Sequence, residues 1–306
     1  MKYTLKTHRK KILADTITPV SVYLRLRDKF PNSLLLESSD YRANDNTFSY
    51  ICCKPIASIT VKNEVITEVF PDGTTTTTSI EGDTDVVGII EAFAKKFETE
   101  DNEQKFIQNG LFGYMSYDAV RYFEDIEVTK KEAQLDVPDL YYAVYQNIIA
   151  INHFNNEAHI FSHTYNEENN LSQIAQLLTV KSFAEYHFKL EGEQQSQMSD
   201  EAFIELVKTC KKHCQRGDVF QIVPSKRFSQ GFSGDEFNVY RSLRSVNPSP
   251  YLFFFDYGNF KIFGSSPEAQ LIVKEGKAEI HPIAGTFKRT GNDEKDAALA
   301  KKLSED

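Results

Sequence analysis

No stretch of this 306-residue chain is apolar over the roughly 20 residues that a bilayer crossing requires. The first residues, Met1 to Ala14, include Lys and Arg but no apolar run, so they do not read as a secretory signal. Phosphate-cradling glycine loops, Gly-x-Ser-x-Gly elbows and His-Glu-x-x-His helices are missing, which removes the commonest nucleotide-binding, serine-hydrolase and zinc-protease readings. Positive charge is in deficit: 35 Lys and Arg stand against 44 Asp and Glu, a formal net charge of -9. Such a surface repels phosphate backbones and argues against a nucleic-acid partner, although a local pocket for an anionic metabolite stays possible. Cysteine is scarce, and the four residues Cys52, Cys53, Cys210 and Cys214 give no disulfide framework. The expectation is a reduced, cytoplasmic protein. Cys210, His213 and Cys214 could be drawn as a metal cluster, but no second pair accompanies them and their spacing suits one helix face.

What is present is material for a large core. Hydrophobic residues make up 41% of the chain and aromatics 12%, too much for a disordered chain. Helical spacing predicts a first helix over 17–30, with Pro19 early in it. Ser33–Glu37 reads as a strand, and 48–66 as a meander of alternating strands, with an Asp72-Gly73 turn beyond. Asp83 and Thr84 are placed to cap a helix that carries Val87, Ile90, Phe93 and Phe97 on one face. Strand-like runs follow at 111–117, 141–152 and 158–164, and a helix at 171–178.

The Gln- and Glu-rich stretch 191–201 reads as a linker ending in a cap at Ser199. The next helix places Phe203, Leu206, Val207, Cys210 and Cys214 together, with Gly217 at its end. A further helix is expected from about Asp235 to Val246, stopped by Pro248 and Pro250. Strands follow at 251–257, 260–264, 269–273 and 278–281. Strands and helices are segregated, which indicates an α+β fold with mainly antiparallel sheets. The change of character near 190 suggests two regions, 1–190 and 191–306.

Six segments, in order, resemble the chorismate-binding enzymes. They are Leu35-Leu36-Glu37-Ser38, 113–121 (GYMSYDAVR), 217–225 (GDVFQIVPS), 247–251 (NPSPY), 264–268 (GSSPE) and 282–286 (PIAGT). Each is weak alone; together they span nearly the whole chain. The resemblance implies a four-layer α/β/β/α fold with two orthogonally packed sheets, incomplete at the C-terminus. It also implies chorismate as substrate and Mg²⁺ as cofactor.

Two positions distinguish branches of the family. Where water-using members carry a lysine base, this chain has Gln221, whose carboxamide cannot take a proton from water. Where aminodeoxychorismate synthases carry a nucleophilic lysine, it has Ala284. This combination resembles the large subunits of anthranilate synthases. These are lyases of tryptophan biosynthesis that take ammonia from a glutamine amidotransferase subunit. The alternatives are an aminodeoxychorismate synthase component and a non-catalytic tryptophan-binding scaffold.

The resemblance makes Glu268 the general acid that protonates the departing 4-hydroxyl, with Gly285 and Thr286 holding chorismate. It matches Glu37, Ser38, Pro250, Tyr251 and Leu252 to a tryptophan feedback site. In each case a bland alternative stands beside it: a surface Glu at a Ser-Pro turn, a tight turn after a strand, and a strand start beside a helix-ending loop. The Mg²⁺ ligands of the family are expected beyond Asp306, and the 306 residues alone are expected to be inactive. The wording at 287–291 (FKRTG) departs from the family's commoner Arg-Pro-Arg-Gly.

Overall fold

A computed structural model describes residues 2–38, 47–99, 106–128, 135–283 and 287–305. The strands are β1 (Tyr3–Leu13), β2 (Leu34–Ser38), β3 (Phe48–Lys62), β4 (Val65–Val69), β5 (Thr75–Ser79), β6 (Phe97–Thr99), β7 (Phe112–Met115), β8 (Leu140–Asn152), β9 (Glu157–Thr164), β10 (Phe188–Ser196), β11 (Phe228–Gly234), β12 (Tyr251–Asp256), β13 (Lys261–Ser266), β14 (Ile272–Lys274) and β15 (Lys277–Glu279). The helices are α1 (Pro19–Leu26), α2 (Val86–Ala94), α3 (Leu171–Thr179), α4 (Asp200–Arg216), α5 (Phe237–Val246) and α6 (Asp293–Glu305). The class is the expected α+β, dominated by sheet. Chain contacts group the residues into two compact units: 1–185 with 240–266, and 186–239 with 267–306.

The first unit is built on one sheet ordered β13-β12-β2-β3-β8-β9-β1-β6, with β4 and β5 continuing from β3 and β7 pairing β8. Its axis is the long antiparallel pair of β3 and β8. A register shift between Pro55 and Ala57 breaks that pair, and Lys54 beside it has φ +60°. Pro55 has no N–H to donate to the ladder, so the irregularity falls where the sequence cannot continue it. On one side of the shift β3 pairs β2; on the other it pairs β4. One strand therefore serves two neighbours, and the expected meander over 48–66 is a single 15-residue strand followed by a hairpin.

Burial follows this bend. Around Ala57, Ile59 and Val61, one core gathers Tyr3, Leu5, Ile66, Phe70, Val86 and Phe93. Around Cys52, a second gathers Leu34, Tyr145, Ile148, Phe161, Phe255 and Tyr257. Cys52 and Cys53 point to opposite faces of β3 and both are fully buried. Burial pushes the Cys53 thiol up to about 12, so it stays protonated and inert. Helices α1 and α3 pack on each other and on β3 and β9. Thr18 and Ser21 close a reciprocal cap at the start of α1, which ends at Leu26, short of the expected 30.

Other boundaries shift for physical reasons. Helix α2 is capped by Asp85, whose carboxylate accepts from Gly88 N–H. Its buried face carries Val86 and Phe93, Val87 is exposed, and the helix ends at Ala94, which leaves Phe97 to β6. Strand β6 pairs β1 in parallel, an exception to the antiparallel expectation.

The second unit is thinner. The expected linker at 191–201 is largely strand: β10 pairs β11, so its polar side chains stand on an exposed two-stranded ribbon. Polarity there marks exposure rather than absence of pairing. Helix α4 begins at the Ser199 cap and ends at Gly217 with φ +78°, as its sequence indicates. Only Cys210 on it is buried, whereas Leu206 and Cys214 of the expected apolar face are exposed. Strands β14 and β15 form a hairpin at the Gly276 turn. No helix among the described residues is long and apolar enough to cross a membrane.

Candidate functional site

In the first unit, β2 and β12 run antiparallel with Ser38 opposite Tyr251 and Glu37 opposite Leu252. Residues directly opposite each other share a face, and neighbours along a strand alternate. Four of the five residues expected at a tryptophan site therefore meet on two adjacent strands but divide between two faces, and the fifth, Pro250, lies just before β12.

One face carries Ser38 and Tyr251, and behind them Leu36, Phe253 and Tyr50 in successive cross-strand positions. Leu36, Tyr50 and Phe253 are partly buried; Tyr251 is 42% exposed. Gly264 lies opposite Phe253, and a Cβ there would sit 2.8 Å from the Phe253 ring. The glycine of the 264–268 segment thus makes room for an aromatic side chain. Burial pushes the Tyr50 phenol up to about 12, so this face presents neutral rings with the Ser38 hydroxyl at its edge. Such a surface suits a flat apolar ring system with a polar head group.

The opposite face carries Glu37 and Leu252, and beneath them Leu35 and Phe254. Helix α5 packs here: the Tyr240 ring lies 5.5 Å from that of Phe254, and Phe254 lies 5.6 Å from Tyr23 of α1. Tyr240 and Arg244 are one turn apart on α5 and so point the same way. The Tyr240 hydroxyl donates to Glu37 Oε2 at 2.6 Å, and Arg244 Nε approaches the same oxygen at 3.2 Å. The Glu37 side chain is only 3% exposed. Burial raises its carboxyl above the usual range, and Tyr240 and Arg244 pull it partly back. Burial and the Glu37 charge together drive the Tyr240 phenol far above its ordinary value, so it remains a donor. Ser49 Oγ lies 2.7 Å from His153 Nε2 and accepts from Ser38 N–H at 3.4 Å. Burial, then the neighbouring Arg244, depresses His153 below the ordinary histidine range.

The residues expected to do chemistry lie in the second unit. Gln221 is exposed on the segment between α4 and β11, outside any regular element. Glu268 is exposed after β13, and its Oε1 accepts from Ile283 N–H at 3.2 Å. That bond ties the 264–268 segment to the residue just before Ala284, Gly285 and Thr286, which lie outside the described residues. His213 Nδ1 lies 2.8 Å from Asp218 Oδ2, which also accepts from Arg216. The Arg216 guanidinium, then His213, holds the Asp218 carboxyl below the usual carboxylate range. Among the described residues no three of His, Cys, Asp and Glu stand together as a metal-ligand group.

The sequence did not single out Tyr240, Arg244, Tyr50, Phe253, Ser49 or His153. The i, i+4 spacing of Tyr240 and Arg244 was readable, and so was the alternation around Tyr50. The pairing of Ser49 with His153 joins residues 104 apart, and nothing local announces it.

With this geometry in place, comparison with known proteins identifies the fold. The family model described as chorismate binding enzyme matches residues 31–306. The chain is 33% identical to anthranilate synthase component 1 of Lactococcus lactis over 309 residues, covering 97% of this chain and 65% of that protein. It is 33% identical to the Saccharomyces cerevisiae anthranilate synthase component 1, covering 93% of this chain and 60% of that protein. The crystal structure of anthranilate synthase component I from Streptococcus pneumoniae superposes with a TM-score of 0.65 at 25% identity, covering 97% of this chain and 64% of that one. MenF, the menaquinone-specific isochorismate synthase of Escherichia coli, shares the fold at a TM-score of 0.50 and 12% identity, over 88% of this chain and 52% of that one. The chain spans less than two thirds of the length of each of these relatives.

Proposed function

Because the chain belongs to the chorismate-binding enzyme family, we propose that it is the effector-binding and nucleophile-selecting part of an anthranilate synthase large subunit. In this reading the complete enzyme converts chorismate and ammonia to anthranilate and pyruvate. A glutamine amidotransferase subunit supplies the ammonia, and tryptophan feeds back on the reaction. The single observation that carries the choice of branch is Gln221. A carboxamide at that position is no base for water, whereas ammonia arrives as a nucleophile and needs none. Ala284 agrees, since it offers no amine to attack the ring. Glu268 takes the role of the acid that protonates the departing 4-hydroxyl, and its hydrogen bond to Ile283 N–H joins it to the end of the described segment before 284–286.

The effector reading draws on the ring-lined face of β2 and β12. An indole would lie against Leu36, Tyr50, Phe253 and Tyr251, with Ser38 at the amino-acid head. Pro250 immediately precedes β12 and restricts the approach of the loop to it.

The chain, completed with the part of the Lactococcus lactis protein that it does not span, tests the reaction. Incubation with chorismate, ammonium and Mg²⁺ is expected to give anthranilate, read by its fluorescence and by chromatography. Isochorismate or 4-amino-4-deoxychorismate as the main product overturns the reading. Glutamine should replace ammonium only when an amidotransferase subunit is added.

A further inference from the structure

The Glu37–Ser38 dipeptide is held from behind. Ser38 offers its hydroxyl to the ring-lined face, while the Glu37 side chain passes to the opposite face and is gripped there by two donors from one turn of α5. Both donors converge on one carboxylate oxygen, and the side chain is almost wholly buried. Such bonds are costly to leave unmade, because removing either donor leaves a buried carboxyl with one partner fewer. The end of β2 is therefore fixed to α5 more firmly than its few ladder bonds would fix it.

We propose that Tyr240 and Arg244 are positioning residues of the effector pocket: acting through Glu37, they set Ser38 in register with Tyr251 and make α5 respond to the pocket's occupant. This rests on the reading of that face as an amino-acid site. A ligand wedged beside Ser38 must move or stiffen the strand end, and α5 is the element bonded to the next residue along. Helix α5 then leads directly into the Asn247–Pro250 segment and Tyr251, so both walls of the slot are attached to it.

Tryptophan is titrated calorimetrically into the 306-residue chain and into Tyr240→Phe, Arg244→Gln and Arg244→Lys. Amide hydrogen exchange of α5 is followed with and without tryptophan. Tyr240→Phe and Arg244→Gln are each expected to weaken binding about tenfold, the size of one buried charge-assisted hydrogen bond. Arg244→Lys, which keeps the charge, should recover part of the loss. In the unsubstituted protein tryptophan should slow exchange across α5. In Arg244→Gln, at saturating tryptophan, that slowing should vanish. Dissociation constants within twofold of the unsubstituted protein in both folded variants would overturn the proposal, even if their melting temperatures fall, because that is the signature of a purely structural bond. Unchanged α5 exchange in a protein that binds tryptophan would overturn it as well. Failure of the unsubstituted chain to bind tryptophan at all removes the effector reading itself, a separate and distinguishable result.

Discussion

The two compact units put similar residues to different use. In the first, Phe161, Phe254 and Tyr145 are almost fully buried, and some of the polar groups that go inside are held by specific partners: Glu37 by Tyr240 and Arg244, His163 by Thr7 and the Gln108 carbonyl. In the second, Leu190, Phe228 and Phe232 are each roughly half exposed or more, and Asp200, which pairs with Lys226, stands in solvent. Apolar residues create a core only where several layers meet, and one two-stranded ribbon beside a helix does not provide them. Burial also decides which ionisable groups are perturbed. Glu37 shifts because water is excluded from it, whereas Asp218 shifts because an exposed arginine and histidine lie against it.

The largest expected effect tests that contrast directly. Phe161→Ala should cost about 3–5 kcal/mol, the usual penalty for emptying a buried aromatic site, whereas Leu190→Ala should stay within about 0.5 kcal/mol. Urea unfolding followed by circular dichroism measures both. A Leu190→Ala cost close to that of Phe161→Ala would mean that the ribbon is buried in solution, and the contrast would fail.

Next in size is the ligand response. Tryptophan at a hundred times its dissociation constant should stabilise the protein by about 2.7 kcal/mol through mass action. Ser38→Phe fills the ring-lined face and should remove the accompanying rise in melting temperature while leaving the ligand-free melting temperature nearly unchanged. A normal tryptophan response in that variant would take Ser38 out of the pocket.

A smaller effect concerns pH. Burial depresses His163 below the ordinary histidine value of 6.5, and Gln108 only partly offsets it. In the folded protein the ring stays neutral, with Nε2–H donating to the Gln108 carbonyl and Nδ1 accepting from Thr7. A depressed histidine contributes stability that is complete above its unfolded value and is lost as pH falls towards the folded one. His153 and His159 are depressed in the same direction, also by burial first. Melting temperature should therefore decline as pH drops below about 6.5, and His163→Gln should flatten the decline. An identical slope in that variant would assign the acid sensitivity elsewhere.

The smallest effect lies in the second unit. Gly217 ends α4 at φ +78° with open space where a Cβ would go. Gly217→Ala should cost about 1 kcal/mol from backbone conformation alone. A neutral result would show that the end of α4 frays in solution, widening the contrast between the units.

Much of the local structure was legible beforehand because its causes are local. Ser199 caps α4 with its own hydroxyl, Gly217 ends it because only glycine takes that conformation cheaply, and the Asp72-Gly73 turn joins β4 to β5 as expected. The resemblance to chorismate-binding enzymes was also legible, because it rests on short segments in a fixed order. Strand β1 was not foreseen: its basic middle, Lys6 to Lys11, shows little apolar alternation, and pairing with β9 makes it a strand. Strand β10 hid for the same reason, since its partner β11 begins 32 residues after it ends.

The sequence by itself determined the class of fold, the family, and the residue types available for chemistry, among them the carboxamide of Gln221. Tertiary structure alone decided that Glu37 and Ser38, neighbours in the chain, serve opposite faces of one sheet. It also brought Tyr240 and Arg244 across some two hundred residues to the carboxylate of Glu37. The physical reason is the period of two along a strand. It fixes which side chains share a face, but only the packing of α5 against that face determines what a buried carboxylate meets there.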